Sequence, residues 1–433
     1  MVAPPGGVCF PHEQHVLDNG LTVVMSPDPA TPLVSVQVMY RVGSRHEPPG
    51  QTGFAHLLEH LFFEGSAHVP AGGHFRYVQE TGGTPTGSTW HDCTTYQQTV
   101  PAGELDLALW LEADRMGFLE PALTAGALEV QRGVIRNERR ENYEAPPYGT
   151  AADALLATAF PAGHPYAHSP IGLPQDLERA TLDVVRGFYR RWYGPNNAVL
   201  VLCGGFHPAG ALERVEHWFG ELPPRPVPPA PAVPAPDADA ERRARMTDRV
   251  RLPRVYHLYP APAYARPGYE AADVLSLLLA QGPGSVLHRD LVQRRGLAVD
   301  VAAYTVPTEA VGLLYVTATA RPGVTAEALA AGMDEALGAF LAQGPEDDDV
   351  LRAVNQSRLG LVGQLNSVAR RSDAFAHAAA LGGDPGYVNR ALARYSAVDR
   401  AELESLARRL LRRERRTVLQ VVPGAGKGAP EPV

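Results

Sequence analysis

The first half of the chain alternates apolar and polar residues in several short stretches, and one longer apolar stretch lies between them. LTVVMSP (21–27), LVSVQVMYRVG (33–43) and STWHDCTTYQQTVP (88–101) have the period of half-buried β-strands. GFAHLLEHLFFEG (53–65) is apolar apart from two histidines and its acids, and we predict that it forms a helix. Strands and helices in this order are typical of a largely antiparallel sheet with helices packed on one face.

The second half repeats this order of elements more weakly. Strand-like and helix-like stretches follow one another as RVYHLYPAP (254–262), YEAADVLSLLLAQ (269–281), VLHRDLVQRRG (286–296), VDVAAYTV (299–306) and GLLYVTATA (312–320). This similarity indicates an internal duplication. We therefore predict an α+β fold with two homologous halves, each a mainly antiparallel sheet with helices on one face, which together form a clam-like subunit.

A proline-rich stretch separates the two halves. Between Leu222 and Arg245 the sequence changes from proline-rich extended chain to charged residues with few apolar anchors. We accordingly predict a domain at residues 1–222, a linker at 223–248 and a second domain at 249–433. The second domain has no histidine pair at the position of His56 and His60, so the chemistry is expected in the first.

Composition and charge exclude several classes of partner. The formal net charge is −8 and the sequence pI is about 6.0, so nothing draws the chain toward nucleic acid or an anionic membrane. No stretch has the roughly 18 uninterrupted apolar residues of a membrane span, and the first residues lack the pattern of a secretory signal. The three cysteines include no CxxC pair. We expect a cytoplasmic protein that contacts neither membrane nor nucleic acid.

The segment HLLEH (56–60) has the residue types and spacing of a metal site. His56 and His60 are four positions apart, so on a helix both imidazoles lie on one face and can bind one cation. Glu59 lies beside them, close enough to reach a metal-bound water without being a ligand. Imidazole suits Zn²⁺, and a catalytic zinc has three protein ligands and one open position. A third ligand is therefore expected elsewhere.

The best candidate for the third ligand is Glu138, in the helical pattern LEVQRGVIRNERRENYEAPPYG (128–149). We predict that Val130, Val134 and Ile135 form the buried stripe of this helix, and Glu138 continues the same face. An unpaired carboxylate on an apolar stripe costs on the order of several kcal/mol. Glu138 thus has a reason to bind metal, whereas the other acids of the segment can be solvated.

HLLEH resembles the inverted zinc motif HxxEH of the pitrilysin and insulinase metallopeptidases. Glu138 follows His60 by 78 positions (138 − 60), within VIRNE, which is similar to the VxxE segment of that family. Further segments, including HPYAHSPIGLPQDL (164–177) and LLLAQGPGSVLHRDLVQRRGLA (277–298), extend the resemblance over nearly the whole chain. The resemblance implies that His56, His60 and Glu138 bind Zn²⁺ and that Glu59 is the general base of a zinc metalloendopeptidase.

The chain departs from the family pattern at two places near the expected site. Many relatives have a glutamate seven residues before the third ligand, where this chain has Gln131, so an acid behind the metal ligands is lost. Larger relatives have an Asn-Ala pair on the strand that binds substrate, where this chain has Thr86 and Gly87. The strand can still bind an extended peptide through its backbone, and we expect substrate contacts at Thr84, Thr86, Gly87 and Ser88.

A third departure concerns the partner of the chain. Members of the family complete their site with an arginine and a tyrosine from a C-terminal segment resembling LRxxxxLxY, and here LVQRRGLAV (291–299) has Val292 and Val299 instead. The resemblance therefore implies a heterodimer with a homologous subunit that lacks HxxEH but supplies these two side chains. A homodimer that uses Arg294 or Arg295 is the second possibility. The alternatives to an enzyme are a catalytically silent structural or binding subunit, or a subunit with purely structural zinc.

Overall fold

The computed structural model describes residues 9–234 and 240–432 of the chain. The predicted domain 1–222 and linker 223–248 therefore lie partly outside the described residues. The strands are β1 (Glu13–Val16), β2 (Thr22–Pro27), β3 (Leu33–Tyr40), β4 (Thr84–Thr89), β5 (Thr94–Pro101), β6 (Ala198–Gly204), β7 (Arg242–Asp248), β8 (Arg254–Ala261), β9 (Ala298–Val306), β10 (Gly312–Ala320), β11 (Thr417–Pro423) and β12 (Glu431–Pro432). The α-helices are α1 (Phe54–Leu61), α2 (Gly73–Glu80), α3 (Leu105–Phe118), α4 (Ala125–Arg139), α5 (Ala151–Ala159), α6 (Pro174–Arg179), α7 (Leu182–Trp192), α8 (Pro208–Phe219), α9 (Tyr269–Ala280), α10 (Ala326–Gln343), α11 (Asp347–Leu365), α12 (Val368–Ala380), α13 (Tyr387–Ala397) and α14 (Arg400–Leu410).

The described strands form two six-stranded sheets in which five strands have the same topology, whereas the sixth is the first strand of the chain in one sheet and the last in the other. The first sheet has the order β1-β2-β6-β3-β5-β4 and the second has the order β12-β7-β11-β8-β10-β9. In each sheet a single pair is parallel, β2 with β6 and β7 with β11, and the other neighbours are antiparallel. The predicted α+β fold with two homologous halves is therefore confirmed.

The chain divides into two compact units, and each unit contains a segment from the other half of the sequence. The first unit comprises residues 1–139, 168–232 and 362–390, and the second comprises 140–167, 233–361 and 391–433, in each case as far as these residues are described. These units cross both of the predicted domains, 1–222 and 249–433, and those domain bounds remain a prediction. The exchanged segments could not be seen in the sequence, because each packs far from its neighbours along the chain.

In the first unit, the exchanged helix α12 covers the face of the sheet opposite to α1. On β5, Tyr96 packs its ring on Phe62 just beyond α1, whereas the next residue, Gln97, points to the other face. The Gln97 amide donates hydrogen bonds to the Ala369 carbonyl at 2.7 Å and to the Ser372 hydroxyl at 2.8 Å. Gln97 of β5 thus binds α12, and helices pack on both faces of this sheet.

In the second unit, α5 packs on the sheet in the same way that α12 does in the first. Leu155 and Leu156 are buried with Leu419 and Val421 of β11, and Arg242 donates a hydrogen bond to the Ala159 carbonyl at 2.8 Å. Burial of these leucines removes apolar surface from water at about 25 cal/mol per Å². Within residues 9–234 and 240–432, no helix combines the length and apolar composition needed to cross a bilayer.

Candidate metal centre

Helix α1 presents its polar side chains on one face because its apolar residues are buried. Its buried residues are Phe54, Ala55, Leu57, Leu58 and Leu61, whereas His56, Glu59 and His60 are only partly covered. The helix begins after Gly53, whose φ of 89° is a left-handed conformation that favours glycine. A Cβ at Gly53 would also lie 3.0 Å from the Ile171 carbonyl oxygen, so the close approach of that loop requires glycine.

Two buried carboxylates hold the beginning of α1. Glu47 accepts hydrogen bonds from the backbone N–H groups of Gly53 and Ala55, each at 2.8 Å. Asp176 accepts hydrogen bonds from the backbone N–H of Thr52 at 3.2 Å and from its hydroxyl at 2.6 Å. Glu47 thereby satisfies N–H groups at the start of the helix that have no partner within it, and Asp176 fixes the residue before them. Burial raises the pKa of Glu47 to about 8, although its backbone hydrogen bonds oppose this shift.

The side chains of His56, His60 and Glu138 converge on one point. The two histidine Nε2 atoms are 3.3 Å apart, and the Glu138 Oε2 atom lies 3.5 Å from His56 Nε2 and 3.4 Å from His60 Nε2. Two ligands of a tetrahedral zinc ion, each about 2.0–2.1 Å from it, lie about 3.3–3.4 Å apart. The triangle of ligand atoms therefore has the size that such an ion requires.

Glu138 reaches this point from α4, but the buried face of α4 differs from the predicted one. Val130 and Val134 are 58% and 41% exposed, so the prediction that they form the buried stripe is wrong. The buried residues of the helix are instead Leu128, Gln131 and Ile135. Because Glu138 lies three positions after Ile135 and seven after Gln131, it still continues the face that packs inward.

The charges of the three side chains are coupled. Burial lowers the pKa of His56 to about 4, which favours the neutral imidazole that binds metal. Burial also lowers the pKa of His60, but the hydrogen bond with Glu138 and the charge of Glu59 outweigh it and raise the pKa above its usual value. The hydrogen bond with His60 lowers the pKa of Glu138 and keeps its carboxylate ionised.

Glu59 lies beside the three converging side chains and contacts the edge strand β4. The Thr89 hydroxyl donates a hydrogen bond of 2.6 Å to Glu59 Oε2. Burial raises the pKa of Glu59 to about 7, and the Thr89 hydrogen bond moderates this shift. A Cβ at Gly87 would lie 3.0 Å from Glu59 Oε1, so the glycine leaves room for this carboxylate. Glu59 is thus oriented by β4 and not by the histidines.

The predicted substrate contacts Thr84, Thr86, Gly87 and Ser88 all lie on β4. This strand is at the edge of the first sheet and pairs only with β5 among the described strands. The Ser88 hydroxyl is hydrogen-bonded to the Thr95 hydroxyl at 2.9 Å, which fixes it toward β5. The unpaired edge of β4 runs past Glu59, where its backbone groups are available to another extended chain.

Gln131 contacts the ring of His60 on the side away from Glu138. The Gln131 carbonyl oxygen lies 3.1 Å from His60 Nδ1, and the Gln131 amide nitrogen donates a hydrogen bond of 2.5 Å to Glu64. His56 Nδ1 is buried and has no hydrogen-bond partner among the described residues. Four polar residues of the site were not predicted from the sequence, because the hydrogen-bond partner of each is set by the fold: Glu47, Asp176, Thr89 and Glu64.

The segment LVQRRGLAV in the second unit offers no free arginine. Val292 packs against the core of that unit, and Val299 is 42% exposed on β9. Arg294 is paired with Asp290, and Arg295 is paired with Asp290 and Glu335. Both arginines named as alternative donors are therefore engaged in ion pairs within their own unit.

An α+β chain with two homologous halves, a histidine pair on one helix and a glutamate from another defines a class of metallopeptidase-like proteins. Residues 22–168 match the family described as "Insulinase (Peptidase family M16)", and residues 179–357 match "Peptidase M16 inactive domain". The chain belongs to the insulinase family, peptidase family M16. The family resemblance stated from the sequence is confirmed.

Curated relatives and solved structures agree with this membership. The chain is 33% identical over 322 residues to "Zinc protease PqqE" of Helicobacter pylori, and the matched region covers 73% of this chain and 72% of the relative. It is 27% identical to "Uncharacterized zinc protease SCO5738" of Streptomyces coelicolor, over 92% of this chain and 86% of the relative. The crystal structure of a protease from Helicobacter pylori matches with a TM-score of 0.90 at 27% identity, and covers 96% of this chain and 100% of that structure.

Proposed function

We propose that this protein is a zinc metalloendopeptidase that hydrolyses internal bonds of extended peptides. The observation that carries the proposal is the triangle of His56, His60 and Glu138, whose sides of 3.3–3.5 Å suit a tetrahedral zinc ion, with Glu59 beside it. Relatives named zinc proteases support the same metal. The buried and neutral His56, together with the ionised Glu138, is a donor set that fits Zn²⁺.

In this mechanism His56, His60 and Glu138 hold the metal and Glu59 moves the proton. When bound, the zinc ion supplies a Lewis acid that polarises the peptide carbonyl and acidifies a water molecule. Glu59 accepts the proton of the attacking water on a carboxylate oxygen and returns it to the nitrogen of the leaving amine. Thr89 keeps this carboxylate in one orientation through its 2.6 Å hydrogen bond.

Replacing Thr89 by valine is expected to lower kcat about 10-fold, because loss of one hydrogen bond to a charged group costs roughly 1.5 kcal/mol. Thr89→Ser keeps the hydroxyl and serves as the matched control, with activity close to that of the wild type. Steady-state hydrolysis of a fluorogenic peptide and zinc content measure both variants. Equal losses in the valine and serine variants would show that the hydroxyl has no role in orienting Glu59.

We propose that the substrate binds by adding a strand to β4. Thr84, Thr86, Gly87 and Ser88 would bind the substrate largely through backbone groups, with alternate side chains on either side of the strand. A substrate bound in this way must be extended. Leader or precursor peptides and unfolded segments fit this requirement, whereas the interior of a stable folded domain does not.

We further propose that the chain works with a homologous subunit that lacks HxxEH and supplies an arginine and a tyrosine. The valines at positions 292 and 299, and the ion pairs of Arg294 and Arg295, favour this arrangement over a homodimer. A catalytically silent structural or binding subunit remains the alternative function. Glu59 favours the enzyme, because it lies beside the three proposed ligands without being one of them and could take a proton from a metal-bound water. A cytoplasmic location stays a prediction.

A chelator experiment tests the proposed function. The purified chain should contain about one zinc, and together with the proposed homologous subunit it should cleave unstructured peptides at internal bonds and lose this activity on dialysis against a chelator. Activity should return on addition of stoichiometric Zn²⁺. Mass spectrometry of the products identifies the cleaved bonds. Hydrolysis that persists after complete removal of metal would contradict a zinc mechanism, and trimming only from peptide ends would contradict an endopeptidase.

A further inference from the structure

We propose that Glu64 is a positioning residue of the metal centre, which acts through the amide of Gln131 to fix the tautomer and orientation of His60. The inference rests on the proposed zinc site and goes beyond its ligands. Glu64 lies three residues after the end of α1, and Gln131 lies on α4, where it is 7% exposed. The three side chains form a continuous chain of hydrogen bonds from Glu64 to His60.

The chemistry of the three groups sets the direction of every hydrogen bond in this chain. An ionised carboxylate can only accept, so Glu64 must face the NH₂ group of Gln131. The carbonyl oxygen of Gln131 then faces His60 and can only accept, so Nδ1 of His60 must carry the proton. When a metal is bound, Nε2 of His60 is then left with its lone pair directed toward the point where His56 and Glu138 converge. Glu64 thus selects the tautomer that can bind a metal through Nε2.

Without Glu64 this selection is lost. A glutamine amide is nearly symmetric in shape, so Gln131 could turn and present its NH₂ group to Nδ1, which would then have to be unprotonated. The proton of the imidazole would move to Nε2 and block the ligand atom. The other histidine has no such support among the described residues, since His56 Nδ1 has no partner there. The orientation of His60 therefore depends on this chain of hydrogen bonds.

The arrangement also explains how the chain tolerates glutamine at position 131. A glutamate there would bind His60 directly, but it would place a second carboxylate against Glu64, where Gln131 now donates a hydrogen bond of 2.5 Å. Two adjacent carboxylates repel each other. In this protein the carboxylate behind His60 therefore belongs to Glu64, which reaches the His60 ring through the amide of Gln131.

Four variants test this inference: Glu64→Gln, Gln131→Glu, the double variant with both changes, and Gln131→Met. The double variant exchanges the acid and the amide, so that the carboxylate introduced at position 131 accepts from His60 and the amide introduced at position 64 donates to that carboxylate. Zinc affinity is measured by competition with a chromogenic chelator, and the unfolding midpoint is measured on the metal-free proteins. Glu80→Gln is the matched control, because the Glu80 side chain is 65% exposed on α2.

Each single variant is expected to bind zinc about 10-fold more weakly, since loss of a group behind a metal ligand typically costs 10- to 100-fold. The double variant should recover affinity to near that of the wild type, and Glu80→Gln should not change it. Gln131→Met, which removes both hydrogen bonds, should be at least as weak as Glu64→Gln. In proton NMR of the zinc-bound proteins, the His60 Nδ1 proton of the wild type should be protected from exchange by its hydrogen bond to Gln131, and that of Glu64→Gln should exchange faster.

The outcomes separate the inference from the proposed function. Wild-type protein that binds no zinc would overturn both. If the wild type binds zinc and cleaves peptides, two results would overturn the role of Glu64 alone. One is an unchanged zinc affinity of Glu64→Gln. The other is a double variant in which the losses of zinc affinity of the two single variants add. Losses of zinc affinity that occur only in variants with lower unfolding midpoints would also reject the role of Glu64. They would show that the hydrogen bonds only stabilise the packing of α1 with α4.

Discussion

Replacing Glu59 by glutamine is expected to reduce peptide hydrolysis by about 10²- to 10⁴-fold while the protein keeps about one zinc per chain. Glutamine has the shape of glutamate and can still accept the Thr89 hydrogen bond, but it cannot take a proton from water. Glu59 is not one of the three converging side chains, so its replacement by glutamine should leave all three proposed donor atoms in place. The large loss in kcat with retained metal is what distinguishes a general base from a ligand.

Elemental analysis and steady-state kinetics on the same samples measure this result. His60→Ala is the contrasting variant, because it removes a ligand and should lose both zinc and activity. Glu80→Gln is the neutral control for a change of one surface charge. Glu59→Gln protein that retains more than a tenth of wild-type turnover would show that another group is the base. Loss of zinc from this variant would instead make Glu59 a ligand and require a different mechanism.

The convergence of the proposed ligands could be predicted from the sequence because two of them belong to one helix. The spacing of His56 and His60 places both rings on one face of any regular helix, whatever the tertiary fold. The third proposed ligand was harder to predict, since Glu138 is on a separate helix and was chosen partly from its place on a supposed buried stripe. Val130 and Val134 of that stripe are exposed, yet Glu138 faces inward because Ile135 and Gln131 do.

The groups that orient the site could not be predicted, because they depend on contacts between distant segments. Asp176 is 124 positions from Thr52, and Gln131 is 67 positions from Glu64. Nothing in the local pattern of either segment marks these polar residues as partners. The exchange of α5 and α12 between the two units is of the same kind, since amphipathic helices carry no sign of which sheet they cover.

The isolated chain is expected to have less than about 1% of the activity it shows when mixed with a homologous subunit that carries the missing arginine and tyrosine. A donor to the developing oxyanion is worth roughly 10²- to 10³-fold in kcat, and Val292 and Val299 provide none. Arg294 and Arg295 would have to break their ion pairs with Asp290 and Glu335 to take over this role. Zinc content should be the same in both preparations, because the three ligands belong to this chain.

The experiment compares the purified chain alone, the partner alone and the two mixed, with the partner taken as a homologue without HxxEH, which is to be sought first among the adjacent genes. Activity should appear only in the mixture, together with a complex of twice the mass in size-exclusion chromatography with light scattering. It should disappear when the partner's arginine or tyrosine is replaced, although the complex still forms. Matched variants Arg294→Ala and Arg295→Ala in this chain test the homodimer, in which one of them would abolish activity. Full turnover by the isolated monomer would contradict the requirement for any partner, because the zinc-bearing chain would then supply every group that hydrolysis needs.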